Sequence, residues 1–363
     1  MIHFGIVKEL DAKVGQMLMV GFAGYELTTA ELKICQSHHF GGFILFSRNC
    51  CEPAQIHSLC RSLYEVTGNL PFIAIDEEGG RVHRLPPPFT HFPPAARIGQ
   101  TGSLDLAFRV GRAVAAELTL LGINLNFAPV LDVNSNAENP IIGDRSFGTT
   151  PERVAAMALA WSQGLRSMGI IPCGKHFPGH GHTDTDSHLQ LPRVTKSLSE
   201  LHAVELTPFL HACRSRIEGL MTAHAVFPAL DEKFPATLSS RILTRVLRQE
   251  LGYKGVVFSD DMEMEAITGN FDAGQAAISS VRAGIDVLLY CHDLAKAAGI
   301  VELLCREARR DTELRARINE SSARISKLKL RCLREQRGTP DNQPVEQLLA
   351  LNHGKLIDEV YGS

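Results

Sequence analysis

Gly169-Ile170-Ile171-Pro172-Cys173-Gly174-Lys175-His176-Phe177-Pro178-Gly179-His180-Gly181-His182-Thr183-Asp184-Thr185-Asp186-Ser187-His188 is the stretch that decides the fold. Its first part, Gly169 to Cys173, is a short apolar run that reads as a buried strand. Its last fourteen residues, Lys175 to His188, hold four His, two Asp and one Lys. Pro178, Gly179 and Gly181 forbid a regular helix there. A titratable loop at the end of a buried strand is how barrel enzymes carry their chemistry.

The same unit recurs along the chain. Eight apolar runs fall at 16–22, 40–46, 71–76, 123–130, 169–173, 218–225, 255–259 and 286–291. Amphipathic patterns separate them, among them 104–121, 151–168, 199–215 and 239–251. Strand–helix alternation predicts a parallel α/β sheet, and eight repeats predict a closed (β/α)8 TIM barrel over residues 1–337. Gly338-Thr339-Pro340 breaks the last helix, so 338–363 reads as a short helix and tail. An open doubly wound sheet is the alternative. It would carry a glycine-rich fingerprint after its first strand, and Gly21-Phe22-Ala23-Gly24 is too short a match.

Ionisable residues follow the apolar runs at their carboxyl ends. The third run leads into Asp76-Glu77-Glu78-Gly79-Gly80-Arg81 and the fourth into Asp132-Val133-Asn134. The sixth meets Thr222-Ala223-His224, and the seventh leads into Ser259-Asp260-Asp261. In a barrel all these ends share one rim, which predicts an active site there.

The bulk numbers limit the partners. Of 363 residues 44 % are hydrophobic, and the formal charge is −3 with both signs interspersed. Neither nucleic acid nor an anionic membrane fits that balance. No apolar run reaches the roughly 20 residues of a membrane helix. The start, Met1 to Glu9, lacks the charged-then-apolar pattern of a signal peptide, and nine irregularly spaced Cys suit reduced thiols. The expectation is a cytoplasmic monomer acting on a small molecule. No Cys-x-x-Cys pair points to structural zinc.

Single residues leave alternatives open. A carboxylate such as Asp260 at a barrel mouth can attack a carbon centre or cap the next helix. Asp186-Ser187-His188 can hold an imidazole that exchanges protons near neutral pH, or form an Asx turn. Arg84 and Arg145 lie on rim loops, to bind a polar ligand group or to pair with a neighbouring Asp. His180, His182 and His224 are the set a metal-dependent hydrolase would need. No metal and no cofactor is expected. Trp161, in a helical pattern, reads as core.

Together these segments resemble glycoside hydrolase family 3, and within it the single-domain bacterial β-N-acetylglucosaminidases. The resemblance spans roughly Val14 to Cys291. It rests on Ile75-Asp76-Glu77-Glu78-Gly79-Gly80-Arg81-Val82, Asn126-Phe127-Ala128-Pro129-Val130-Leu131-Asp132-Val133 and Gly143-Asp144-Arg145-Ser146-Phe147-Gly148. Further along it rests on Lys175 to Gly181, Asp186-Ser187-His188 and Gly255 to Met262. The resemblance implies a retaining, two-step mechanism, with Asp260 as nucleophile and His188 as general acid/base in a dyad with Asp186. It implies Asp76, Arg84, Arg145, Lys175 and His176 as ligands of an N-acetylglucosamine ring. It further implies a GlcNAc–anhydro-muramic acid fragment of recycled cell wall as substrate.

Retaining glycosidases usually use two carboxyl groups about 5–5.5 Å apart. An imidazole in place of one repels anions less, so a phosphorylase using phosphate as acceptor remains open, as does a β-glucosidase. The larger β-glucosidases take their acid/base from a second domain, for which this chain is too short. Glu77 stands where relatives often have Gln.

Overall fold

Each of the eight apolar runs overlaps one barrel strand. The computed structural model describes residues 2–67, 70–183, 191–333 and 351–362, with side chains from residue 9 onward. In chain order the strands are β1 (Leu18–Val20), β2 (Gly42–Leu45), β3 (Phe72–Ile75), β4 (Leu125–Asn126), β5 (Ile171–Phe177), β6 (Gly219–Thr222), β7 (Val226–Phe227), β8 (Asp231–Pro235), β9 (Val256–Asp261) and β10 (Val287–Tyr290). All but β7 and β8 pair in parallel, in the closed order β1-β10-β9-β6-β5-β4-β3-β2. This is the expected (β/α)8 barrel. Its strands are buried on both faces, which is why they read as unbroken apolar runs.

Phenylalanines fill the interior. Phe258 meets Phe72 and Phe127 edge-on, with ring centres 6.0 and 5.5 Å apart. Gly219 makes room for this ring, since a Cβ there would lie 3.0 Å from the Phe258 edge and from the Cys173 sulfur. β4 is only two residues long, and asparagine side chains extend its pairing. Asn124 accepts from Ile73 N–H at 2.9 Å and donates to Pro71 O at 2.9 Å. Asn126 accepts from Glu77 N–H at 3.0 Å and donates to Glu77 O at 2.8 Å. These bonds stand in for ladder bonds that a longer strand would make.

Several boundaries differ from the sequence expectation. β5 runs on to Phe177, because Lys175 and Phe177 keep pairing with β4's extension and β6 through Leu131 N–H to Lys175 O and Ala223 N–H to Phe177 O. Lys175 and His176 therefore sit in the strand. The 199–215 pattern splits into helices Leu198–Ala203 and Leu206–Arg214, and 239–251 forms a wide π-type helix, Arg241–Glu250. The short antiparallel pair β7–β8 has no counterpart in the sequence reading. Trp161 is buried in helix Pro151–Ser167, and its carbonyl lies so close to Gly111 that a Cβ there would be 2.2 Å away.

Helix Gly354–Tyr361 lies against the barrel's helical layer. Glu359 accepts two bonds from Arg109 at 2.7 and 2.9 Å, and Leu356 and Val360 are buried. Beside it Glu117 accepts from Thr90 N–H and lies 3.8 Å from His353. Burial pushes the Glu117 carboxyl up to about 7. Its folded value thus exceeds its unfolded value, so ionisation opposes folding and stability falls as pH rises from about 4.5 to about 7. Glu117→Gln should flatten that fall, by about 1–3 kcal/mol in unfolding free energy between pH 5 and pH 8. Denaturant titrations of both proteins at several pH values check it, and identical pH dependence would refute it.

Candidate active site

The carboxyl ends of the barrel strands open into a cavity of about 740 Å³. Its wall includes Asp76, Arg84, Arg145, Lys175, His176 and Asp260, six of the eight residues predicted from sequence. Asp186 and His188 lie outside the described residues.

One side is an ion-pair network. Lys175 Nζ lies 2.5 Å from Asp76 Oδ1 and 2.6 Å from Glu78 Oε1. Arg145 grips Glu78 with both arms, Nε to Oε2 at 2.8 Å and Nη2 to Oε1 at 2.9 Å. Glu78 comes from the turn after β3 and Arg145 from the loop after β4. Gly79 and Gly80 shape that turn at φ +88° and +55°, a backbone region that other side chains avoid. Burial alone would raise the Glu78 carboxyl, but Arg145 and Lys175 outweigh it and hold it well below the usual carboxylate range. Burial would likewise lower Lys175 and Arg145, and their carboxylate partners raise both instead. Glu78, Lys175 and Arg145 are therefore charged at neutral pH.

A second cluster centres on Asp132, which is completely buried. His176 Nδ1–H donates to it at 2.7 Å, and so does His180 N–H at 2.7 Å. The bond fixes the imidazole of His176, whose Nε2 takes no hydrogen bond among the described residues. The Lys175–His176 peptide is cis. His180 packs edge-on to His176 and lines the same cavity, its ring Nδ1 2.7 Å from Thr183 Oγ1. Burial and the neighbouring His176 lower His180 to about 4, so it is neutral at physiological pH.

Asp260 is the next-to-last residue of β9 and lines the same cavity. Burial would raise its carboxyl, but the nearby His224 and His176 imidazoles, with the Asp261 N–H at 2.8 Å, hold it low. Its neighbour Asp261 is pushed up to about 6 by burial and by the Glu263 and Asp260 carboxylates. Neither Asp caps the following helix, Glu265–Thr268, whose N-cap position is Met264. Asp261 instead accepts from Glu263 N–H at 3.0 Å.

Arg84 is placed by Glu77. That carboxylate accepts from Arg84 N–H at 2.9 Å and from His83 Nδ1–H at 2.7 Å. Both acceptor oxygens are used, which an amide could not match. His180, His182 and His224 do not converge. Both ring nitrogens of His224 are engaged, by Thr237 Oγ1 and Asp261 O, and His182 faces Ser135.

The sequence reading placed Glu78 and Asp132 at the rim without giving either a role, and weighed His180 only as a metal ligand. For Glu78 a signal existed, because alternate residues of an extended segment share a face and Asp76 was already chosen. For Asp132 the partner is 44 positions away, and nothing local announces it.

A closed parallel barrel whose carboxyl-end cavity gathers carboxylates, cations and imidazoles has the build of a barrel enzyme. The model of the glycosyl hydrolase family 3 N-terminal domain matches residues 9–328. The chain is 41 % identical over 283 residues to a β-hexosaminidase of Neisseria meningitidis serogroup C, covering 76 % of this chain and 78 % of that protein. It is 35 % identical over 315 residues to a β-hexosaminidase of Idiomarina loihiensis, covering 86 % and 92 %.

Among solved structures, a family 3 β-N-acetylglucosaminidase from Paenibacillus sp. superposes with a TM-score of 0.89 at 37 % identity, covering 97 % of this chain and 68 % of that one. NagZ from Neisseria gonorrhoeae, in complex with N-trifluoroacetyl-D-glucosamine, gives 0.71 at 34 % identity, covering 85 % and 98 %. The chain belongs to glycoside hydrolase family 3 and is a glycoside hydrolase.

Proposed function

We propose that this protein is a retaining β-N-acetylglucosaminidase that removes terminal β-linked GlcNAc. The observation that carries the reading is Asp260, a carboxylate kept ionised at the wall of the cavity that His176 and His180 also line. Kinship with β-hexosaminidases, and a relative solved with an N-acylated glucosamine, support the acetamido sugar.

In the first step Asp260 attacks C1 of the sugar while His188, as imidazolium, protonates the departing glycosidic oxygen. In the second, neutral His188 takes a proton from water, water attacks C1, and the bond to Asp260 breaks. Two inversions give net retention. Asp186 orients and charges His188. Asp76 and Lys175 hold the outer hydroxyls with charge-assisted bonds, while Arg84, Arg145 and His176 fix the rest of the ring. The biological substrate in this proposal is a GlcNAc–anhydro-muramic acid fragment, with or without peptide, met in the cytoplasm by a monomer. Among the described residues no helix is long and apolar enough to cross a membrane.

The test is nitrophenol release from the β-N-acetylglucosaminide and the β-glucoside, each with and without phosphate. The expected result is strong preference for the acetamido sugar, with free GlcNAc as product. Preference for glucose, or phosphate-dependent sugar 1-phosphate, would overturn it. His188→Ala should slow nitrophenyl glycosides far less than natural disaccharides, since a good leaving group needs little protonation. Equal loss on both substrate types would refute the acid role.

A further inference from the structure

The opposite end of the barrel holds a second cavity, of about 690 Å³, at the amino ends of the strands. Arg214, Arg216, Lys254, Arg324, Lys327 and Arg331 line it. A cavity of about 470 Å³ adjoins it, shares Arg216, Glu218 and Arg331, and adds Arg166. Among the described residues Glu218 is the only carboxylate lining either one. Glu218 is already taken, by Arg166 at 2.7 Å and Arg331 at 3.3 Å. Arg324 is bound to Asp286 at 2.9 Å. The side chains of Arg214, Arg216, Lys254 and Lys327 have no such partner among the described residues. In a chain of net charge −3, four unpaired cations around one hollow are a local excess.

The backbone supplies a second observation. Arg216 ends helix Leu206–Arg214 in the left-handed conformation, φ +54°, with Arg216 N–H to Cys213 O at 3.0 Å and Ile217 N–H to Ala212 O at 3.1 Å. This turn ordinarily uses Gly, because any Cβ is strained there. Arginine at the cavity's edge keeps its cation at a cost in backbone energy, a pattern associated with functional positions.

We propose that this cavity binds a small molecule carrying a multiply charged phosphate group. Guanidinium forks match phosphate oxygens. The volume lies in the range of small-molecule sites. Ile217, Tyr253 and Leu328 give the hollow an apolar lining. The cations converge from three elements, the Leu206–Arg214 helix end, the loop before β9, and helix Thr312–Cys332. They do not form the extended stripe that a nucleic-acid duplex requires.

Calorimetric titration of the full chain with inorganic pyrophosphate, at fixed ionic strength, tests the proposal. The expected result is saturable one-site binding, weakened about tenfold or more in Arg216→Gly and in Lys254→Ala, as for loss of a charge-assisted contact. Glycine accepts the backbone angle of Arg216, so Arg216→Gly should melt no lower than the parent and keep its glycosidase rate. No saturable heat, or unchanged affinity in both variants, would overturn the proposal. So would tighter binding of a DNA duplex through the same two residues.

Discussion

Asp260→Ala is expected to lose about four to six orders of magnitude in kcat, the scale seen when a covalent nucleophile is deleted. Asp260 is a carboxylate of the cavity wall whose one hydrogen bond among the described residues is from the adjacent Asp261 N–H. Removing it leaves no group to form the glycosyl-enzyme. The barrel core is untouched, so the melting temperature should change little. Asp260 is held ionised by neighbours that no longer need to be compensated, and a small anion should enter the space left behind. Azide is therefore expected to restore slow turnover of a nitrophenyl substrate and to give the α-glycosyl azide. Full activity in the variant, or β-azide as product, would refute the nucleophile assignment.

Glu78→Gln should be the most disruptive single change to the site's framework. Glu78 neutralises Arg145 and Lys175 together, with three contacts of 2.6 to 2.9 Å. The amide keeps the shape and removes the charge, so two buried cations are left with Asp76 as the nearby carboxylate. Breaking one partner of a buried ion pair costs about 3–5 kcal/mol. The same change releases two proposed sugar ligands, and misplacement by about 1 Å costs about 10²-fold in rate. Denaturant unfolding and kcat/KM, measured together, check both parts.

The pH dependence separates charge from shape. The folded Glu78 carboxyl lies well below its ordinary value of 4.5. Its stabilisation is thus complete above that ordinary value and is lost as pH falls through the folded one. Wild type should lose stability steeply below about pH 4.5, and Glu78→Gln should lose less over the same interval. Parallel acid limbs would mean that Asp76 carries the neutralisation instead.

The sequence made the barrel legible because parallel barrel strands are buried on both faces. Their apolar runs stand out from the amphipathic helices without any tertiary information. It also located the rim, since ionisable residues follow those runs, while the roles of Asp76, Arg84, Arg145, Lys175, His176 and Asp260 came from the resemblance to glycoside hydrolase family 3. Strand ends were less legible. Lys175 and His176 look like loop residues because they are polar, yet parallel partners on both sides keep them in β5. The split at Val204 and the β7–β8 pair likewise follow from contacts between elements distant in sequence.

By itself, then, the sequence determined the number of barrel strands, the closed barrel and the residue types that follow the strands at its carboxyl-end rim, all legible from local patterning. The tertiary structure alone decided which charges neutralise which. Glu78 meets Arg145 across 67 positions, Asp132 meets His176 across 44, and unpaired cations collect around Arg216 at the far end. Ion pairing depends on distance in space and on the local dielectric, and neither is written in the order of the residues.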